Sequence, residues 1–164
     1  MSILTLNGES VEKLMDDVGW NILQELQVDA RISYSELGRR VGLSSPAVTE
    51  RIRRMEDAGI IKGYRVEIDP AKVGLPITAI IRVKADDCRR IMDYVNERYQ
   101  ELPEMLECHR VTGDDSIVMK VVVSDIPHLE NLVDRVRAFG ETTTSIVLSS
   151  LQEERMYCKD MMGS

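Results

Sequence analysis

The chain has 164 residues, 43% apolar and 30% charged, which suits one large or two small globular domains with ordinary cores. No apolar run approaches the roughly 20 residues needed to span a membrane, and Met1–Asn7 lacks the basic and apolar regions of a secretion signal, so the expected compartment is the cytoplasm. A net charge of −7 argues superficially against nucleic acid, yet residues 31–65 hold eight basic and four acidic side chains, and the acidic excess lies on either side. Screening confines exposed charges to roughly 8–10 Å at physiological salt, so a local basic face can bind phosphate while acidic surface elsewhere does little harm.

Residues 1–14, with Leu4, Leu6, Val11 and Leu14, fit either a tail or a segment packed on a neighbouring subunit. Asp16 or Asp17 can cap a helix running through Gln27, and Val18, Ile22, Leu23 and Leu26 form its apolar stripe. Trp20 on this helix is a packing or partner residue.

A second helix opens at Ser33-Tyr34-Ser35-Glu36, a capping box in which Ser33 accepts from the third amide and Glu36 reaches back to the Ser33 amide. Leu37 and Val41 share its buried face, with Arg39 and Arg40 toward solvent. Gly42-Leu43 supplies a tight turn, Ser44 the next N-cap, Pro46 the first-turn proline and Gly59 the C-terminal stop. Two helices so joined are the helix-turn-helix signature, and the run after Gly59, through Arg65, reads as a hairpin wing.

On the third helix Val48, Ile52 and Met55 cluster on one side, leaving the other to a DNA groove. Ser45, Pro46, Thr49, Glu50 and Arg53 are the candidate base readers: arginine can grip guanine O6 and N7, Glu can accept from cytosine N4, and a Thr methyl can touch the thymine methyl. Arg39, Arg40, Ser44, Arg51, Arg54, Lys62 and Arg65 are the candidate phosphate contacts, which orient without reading sequence. The bland alternative is a solvated helix whose arginines pair with Glu50, Glu56 and Asp57.

Asp69-Pro70 and Val73-Gly74-Leu75-Pro76 make residues 66–76 a connector. A different pattern follows: a strand over Ile77–Ala85 with Ile81 and Val83 opposite Arg82 and Lys84; a helix over Asp87–Gln100 through Ile91, Tyr94, Val95 and Tyr99; strands over Met105–Thr112 and Ile117–Val123 around the turn Gly113-Asp114-Asp115; a helix over Pro127–Phe139; and a strand over Thr142–Leu151. The order β-α-β-β-α-β is the ferredoxin-like unit. Both helices cover one sheet face, and an uncovered apolar face predicts self-association, which also spaces two recognition helices about 34 Å apart on a palindromic site.

Cys88, Cys108 and Cys158 are odd in number and widely separated, so they supply neither a disulfide frame nor a C-x-x-C motif. Cys108 and His109, adjacent on a strand, point to opposite faces, and neither His109 nor His128 has a nucleophile or ligand set nearby in sequence. No metal, no cofactor and no catalysis are expected.

The run from Asp16 to Leu151 resembles the Lrp/AsnC family of bacterial and archaeal regulators, also called feast/famine regulatory proteins. The resemblance rests on I-L-x-E-L-Q (Ile22 to Gln27), D-A-R-I-S (Asp29 to Ser33), E-L-G-R-R-V-G-L-S (Glu36 to Ser44), E-R-I-R-R-M-E-x-A-G-I-I-x-G-Y (Glu50 to Tyr64) and E-C-H-R-V-T-G-D-D (Glu107 to Asp115). It implies an α+β protein: a winged helix-turn-helix domain over 1–65, a connector over 66–76, a ferredoxin-like RAM domain over 77–155 for oligomerisation and effector binding, and a tail over 156–164. It further implies a regulator that binds double-stranded DNA, forms homodimers that assemble into tetramers, octamers or larger rings, and commonly takes an amino acid between subunits. Gly113, Asp114, Asp115 and Ser116 are the effector candidates, since acids can hold an ammonium and turn amides a carboxylate, although Asp and Gly are also ordinary turn residues. Two positions depart from the family pattern: Gly19 stands where members often have Asp, and Ser116 stands where the common pattern has an acid. The alternative function is a DNA-architectural protein that bends or wraps DNA with little sequence preference.

Overall fold

The computed structural model describes residues 5–6, 9–85, 87–98, 101–151 and 156–162. The expectations for Leu4, Tyr99 and Gln100, and for the side chains of Leu6 and Cys88, lie outside the described residues. The chain divides into two compact units, Met1–Val66 with Gln152–Ser164, and Glu67–Leu151.

In the first unit β1 (Thr5–Leu6) pairs antiparallel with β2 (Glu9–Ser10) and leads into α1 (Val11–Leu14). Three helices follow: α2 (Asp17–Val28), α3 (Tyr34–Val41) and α4 (Ser45–Asp57). Each begins where a short polar side chain meets an orphan amide: Asp16 accepts from Gly19 at 2.8 Å, Ser33 from Glu36 at 3.2 Å and Ser44 from Ala47 at 3.4 Å. The expected reciprocal half of the capping box is not formed, because the Glu36 carboxylate is turned toward Arg39 and Arg40 instead of the Ser33 amide.

Ile22, Leu26, Ile32, Leu37, Val48, Ile52 and Met55 make one core, with Val18, Leu23, Val41 and Leu43 packed against it. The helical stripes read from spacing are therefore the stripes that meet. Gly42, at φ 73°, ends α3 in the left-handed region, and Gly38 lets the turn fold tightly onto the helix: a Cβ there would lie 2.5 Å from the Leu43 carbonyl oxygen.

Helix α4 closes in a Schellman arrangement: Ile60 N donates to Met55 O at 2.9 Å and Gly59 N to Glu56 O at 2.9 Å, with Gly59 at φ 68°. The expected hairpin wing does not form among the described residues. Residues 62–69 carry no strand, because Ile60 and Ile61 fold back against the helical core and no described strand lies beside the run that follows.

The second unit has a 3-10 turn at Pro70–Val73, then β3 (Ile77–Lys84), α5 (Cys88–Arg98), β4 (Met105–Arg110), β5 (Ile117–Val123), α6 (Ile126–Arg137) and β6 (Glu141–Ile146). The sheet order is β4-β5-β3-β6 and every pairing is antiparallel, as the β-α-β-β-α-β reading requires. Ala79, Ile81 and Val83 of β3 and Ile117, Met119, Val121 and Val123 of β5 face Ile91 of α5 and Leu129, Leu132 and Val136 of α6. Tyr94 and Phe139 close this core with ring centroids 4.8 Å apart.

The opposite sheet face differs from the apolar one expected. Glu107 of β4 pairs with Lys120 of β5 at 3.4 Å and with His109 at 3.2 Å, and Arg82 lies 3.9 Å from Asp115, so charged groups stand among Ile80, Val118 and Val122. The alternation that fills the core also fixes which side chains stand on the other face.

Among the described residues no helix is long and apolar enough to cross a membrane. No group of three or more His, Cys, Asp or Glu able to hold a metal occurs among them either.

Candidate nucleic-acid interface and effector hairpin

Val48, Ile52 and Met55 are fully buried, which fixes the rotation of α4 about its axis and leaves Pro46, Thr49, Arg53 and Arg54 exposed, with Ser45 and Glu50 half-buried beside them. Thr49 donates its hydroxyl to the Ser45 carbonyl at 2.9 Å, so its methyl is the group left for an apolar contact. Glu50 accepts from Arg53 Nε at 3.2 Å, Arg53 Nη2 at 3.1 Å and Arg54 Nε at 3.0 Å. These guanidinium contacts, Arg53 first, hold the Glu50 carboxyl below its ordinary range.

Helix α3 repeats the arrangement. Glu36 accepts from Arg39 at 2.7 and 2.8 Å and from Arg40 at 2.9 Å, and Arg40 also donates to Glu25 at 2.6 Å. Arg39, then Arg40, hold the Glu36 carboxyl down at about 2. The intrahelical acid–arginine pairing of the bland reading is therefore present in the free protein. Exposed pairs of this kind contribute about 0–1 kcal/mol, so a DNA phosphate can compete for the same guanidinia.

Lys62 and Arg65 are exposed, and Tyr64 donates to Glu56 at 3.0 Å. Burial and then the Glu56 contact push the Tyr64 phenol up to about 12.

Arg51 is placed differently from its expected role. One guanidinium nitrogen, Nη2, donates to Lys13 O at 3.0 Å, Leu14 O at 3.3 Å and Asp16 Oδ1 at 2.5 Å, while Nε is buried without a partner. Its side chain is only 23% exposed and ties α4 to the joint between α1 and α2. Sequence reading missed this contact because its partners lie 35 to 38 residues away. The Gly19 amide and, less strongly, Arg51 hold the Asp16 carboxyl below its ordinary range.

The hairpin residues Gly113, Asp114, Asp115 and Ser116 lie between β4 and β5, with Gly113 at φ 116°. Ser116 is fully engaged: its amide donates to Val83 O at 2.8 Å, its Oγ accepts from Ala85 N at 3.2 Å and donates to Ala85 O at 3.3 Å. It ties the turn to the end of β3. Asp114 is exposed, and Asp115 is half-buried beside Arg82.

A polar cluster that the sequence did not signal sits on α6: buried Glu104 accepts from Arg135 and lies 3.0 Å from His128 Nε2. Only the two basic residues of α6 at i and i+7 could have hinted at it. Cys108 and Cys158 are free thiols, and burial pushes the Cys108 thiol up.

The AsnC-type helix-turn-helix domain matches residues 15–56, and the Lrp/AsnC ligand binding domain matches residues 78–157. The chain belongs to the Lrp/AsnC family. It is 35% identical over 139 residues to the HTH-type transcriptional regulator LrpC of Bacillus subtilis, a match spanning 84% of this chain and 94% of that protein. Among solved structures it is similar to a transcriptional regulator of Neisseria meningitidis in complex with L-Met, with a TM-score of 0.82 and 26% identity over 90% of this chain and 99% of that one. It is also similar to a feast or famine regulatory protein of Mycobacterium tuberculosis complexed with L-methionine, with a TM-score of 0.79 and 32% identity over 88% and 99%. Like its Lrp/AsnC relatives, the chain is a sequence-specific DNA-binding transcriptional regulator and not an enzyme.

Proposed function

We propose that α4 reads base edges in the major groove through Ser45, Pro46, Thr49 and Arg53, with Glu50 on the same face beside Arg53, and that Arg39, Arg40, Ser44, Arg54, Lys62 and Arg65 hold phosphates around it. The observation that carries the assignment is the burial of Val48, Ile52 and Met55, which turns this one polar face outward. Arg51 leaves the phosphate set because its guanidinium is committed to the α1–α2 joint.

The same reading gives the second unit an amino-acid effector at the hairpin Gly113-Asp114-Asp115-Ser116. Its support is the matched ligand binding domain and the L-methionine complexes of two relatives. With Ser116 engaged by β3 and Asp115 half-buried beside Arg82, Asp114 is the exposed acid for an ammonium, and Asp115 joins it by giving up Arg82.

Self-association into homodimers and larger assemblies is supported by large apolar side chains left exposed outside any strand: Val66 and Ile68, and Leu148 and Leu151. The protein works in the cytoplasm, where DNA and free amino acids meet.

One experiment tests these assignments together: selection of genomic DNA by the purified protein at fixed salt, with and without the twenty amino acids, scored for enriched sequence and assembly size. A sharp palindrome whose enrichment the amino acids alter is the expected result. Diffuse, salt-sensitive enrichment indifferent to amino acids overturns it in favour of an architectural role.

A further inference from the structure

Helices α3 and α4 carry the same five-residue pattern, Glu36-Leu37-Gly38-Arg39-Arg40 and Glu50-Arg51-Ile52-Arg53-Arg54: an acid, then arginines three and four residues on. That spacing sets both guanidinia one turn from the carboxylate on a single face. In α4 the grip has a definite geometry. Glu50 takes the Nε and Nη2 hydrogens of Arg53 side-on, at 3.2 and 3.1 Å, and Arg54 Nε at 3.0 Å.

An arginine has five N–H donors in a rigid fork. With Nε–H and one Nη2 hydrogen held by Glu50, the end-on pair formed by Nη1 and the second Nη2 hydrogen is left with only a long ion pair, Nη1 to Asp57 at 3.8 Å, on a side chain that is 63% exposed. That end-on pair is the one a guanine O6 and N7 accept.

We propose that Glu50 is a positioning residue for sequence discrimination: it presents the end-on fork of Arg53 to base edges and opposes the use of Arg53 as a general phosphate contact. This rests on the assignment of Arg53 as a base reader. The reasoning is energetic as well as geometric. An unheld arginine on a groove-facing helix gains from any phosphate it reaches, and such contacts are blind to sequence. A carboxylate at its side-on edge competes for those hydrogens and repels the backbone, so the remaining gain comes from a base placed end-on. Arginine N–H groups take three of the roughly four acceptor positions of the Glu50 carboxylate, so its main influence on the groove passes through Arg53.

The test uses the full chain, a duplex enriched by selection and a random duplex of equal length, with affinities measured over a salt series. The variants are Glu50→Gln, Arg53→Ala, the double variant and Glu36→Gln. Glu50→Gln is expected to bind the random duplex several-fold more tightly, with a log–log salt slope steeper by about one. The ratio of specific to random affinity falls about tenfold, within the range of one bidentate base contact. In the Arg53→Ala background Glu50→Gln leaves the ratio unchanged, and Glu36→Gln changes both duplexes alike.

An unchanged ratio in Glu50→Gln overturns the proposal. So does an equal fall when Arg53 is already absent, which makes Glu50 an independent base reader, or an equal fall in Glu36→Gln, which reduces the effect to charge. If Arg53→Ala weakens both duplexes equally, the base-reading assignment itself fails. If Arg53→Ala lowers the ratio and Glu50→Gln does not, only the role of Glu50 fails.

Discussion

Replacing Arg51 with Ala separates a structural arginine from a DNA contact. The wild-type guanidinium satisfies two carbonyls at the C-terminal end of α1 and the carboxylate that caps α2, at 3.0, 3.3 and 2.5 Å. Hydrogen bonds to charged groups contribute about 1.5–3 kcal/mol each when buried, and this side chain is 23% exposed with a single nitrogen serving all three acceptors. Solvent screening and the shared donor bring the loss to about 2 kcal/mol. The chain has one tryptophan, Trp20, buried in α2, so its fluorescence reports unfolding of the first unit. For a urea m-value of about 1–2 kcal/mol/M the midpoint falls by about 1–2 M. The salt dependence of DNA binding, measured where both proteins are folded, keeps its slope. An unmoved midpoint together with a slope lower by about one would refute this assignment and return Arg51 to the phosphate contacts.

Lys62→Ala should do the reverse: binding to specific and random duplexes weakens alike and the salt slope drops by about one, with the urea midpoint held. Glu36→Gln probes pH. The folded carboxyl sits at about 2, below its ordinary 4.5, so the stability it confers is complete above about 4.5 and lost as pH falls toward 2. The wild type should therefore melt above the variant near neutral pH, and the gap should close over that window; a constant gap down to pH 2 contradicts the ion-pair account. Gly59→Ala places a Cβ at φ 68° and should cost about 1 kcal/mol in the same urea assay, because left-handed backbone is strained for alanine. No change there would mean that the helix end relaxes freely.

What the sequence made legible is what local rules govern. Ser33 and Ser44 stand at the N-caps where short hydroxyl side chains precede a helix, and Ile22, Leu26, Val48, Ile52 and Met55 meet in one core because their spacing places them on facing stripes. The β-α-β-β-α-β order likewise forced the β4-β5-β3-β6 sheet, since each crossover helix must return on the same side.

The misses arise where a residue's partner is far away in the chain. Arg51 looked like one basic residue in a basic helix, and only folding brings the Lys13 and Leu14 carbonyls to it. The β-branched run after Gly59 carried a strand's composition, but pairing needs a neighbour that local pattern does not provide. Glu36 had two acceptable partners, an amide behind it and two guanidinia ahead, and the stronger charge-assisted bonds won.

Gly19 extends this lesson to inheritance. A Cβ at that position would collide with the Leu14 carbonyl oxygen and press on the end of Met55. The missing methyl is therefore a record of where the preceding turn of chain passes. Any side chain at this place requires the segment before α2 to take another course, so the stretch from Val11 to Leu14 and the hydrogen at Gly19 can only be changed together.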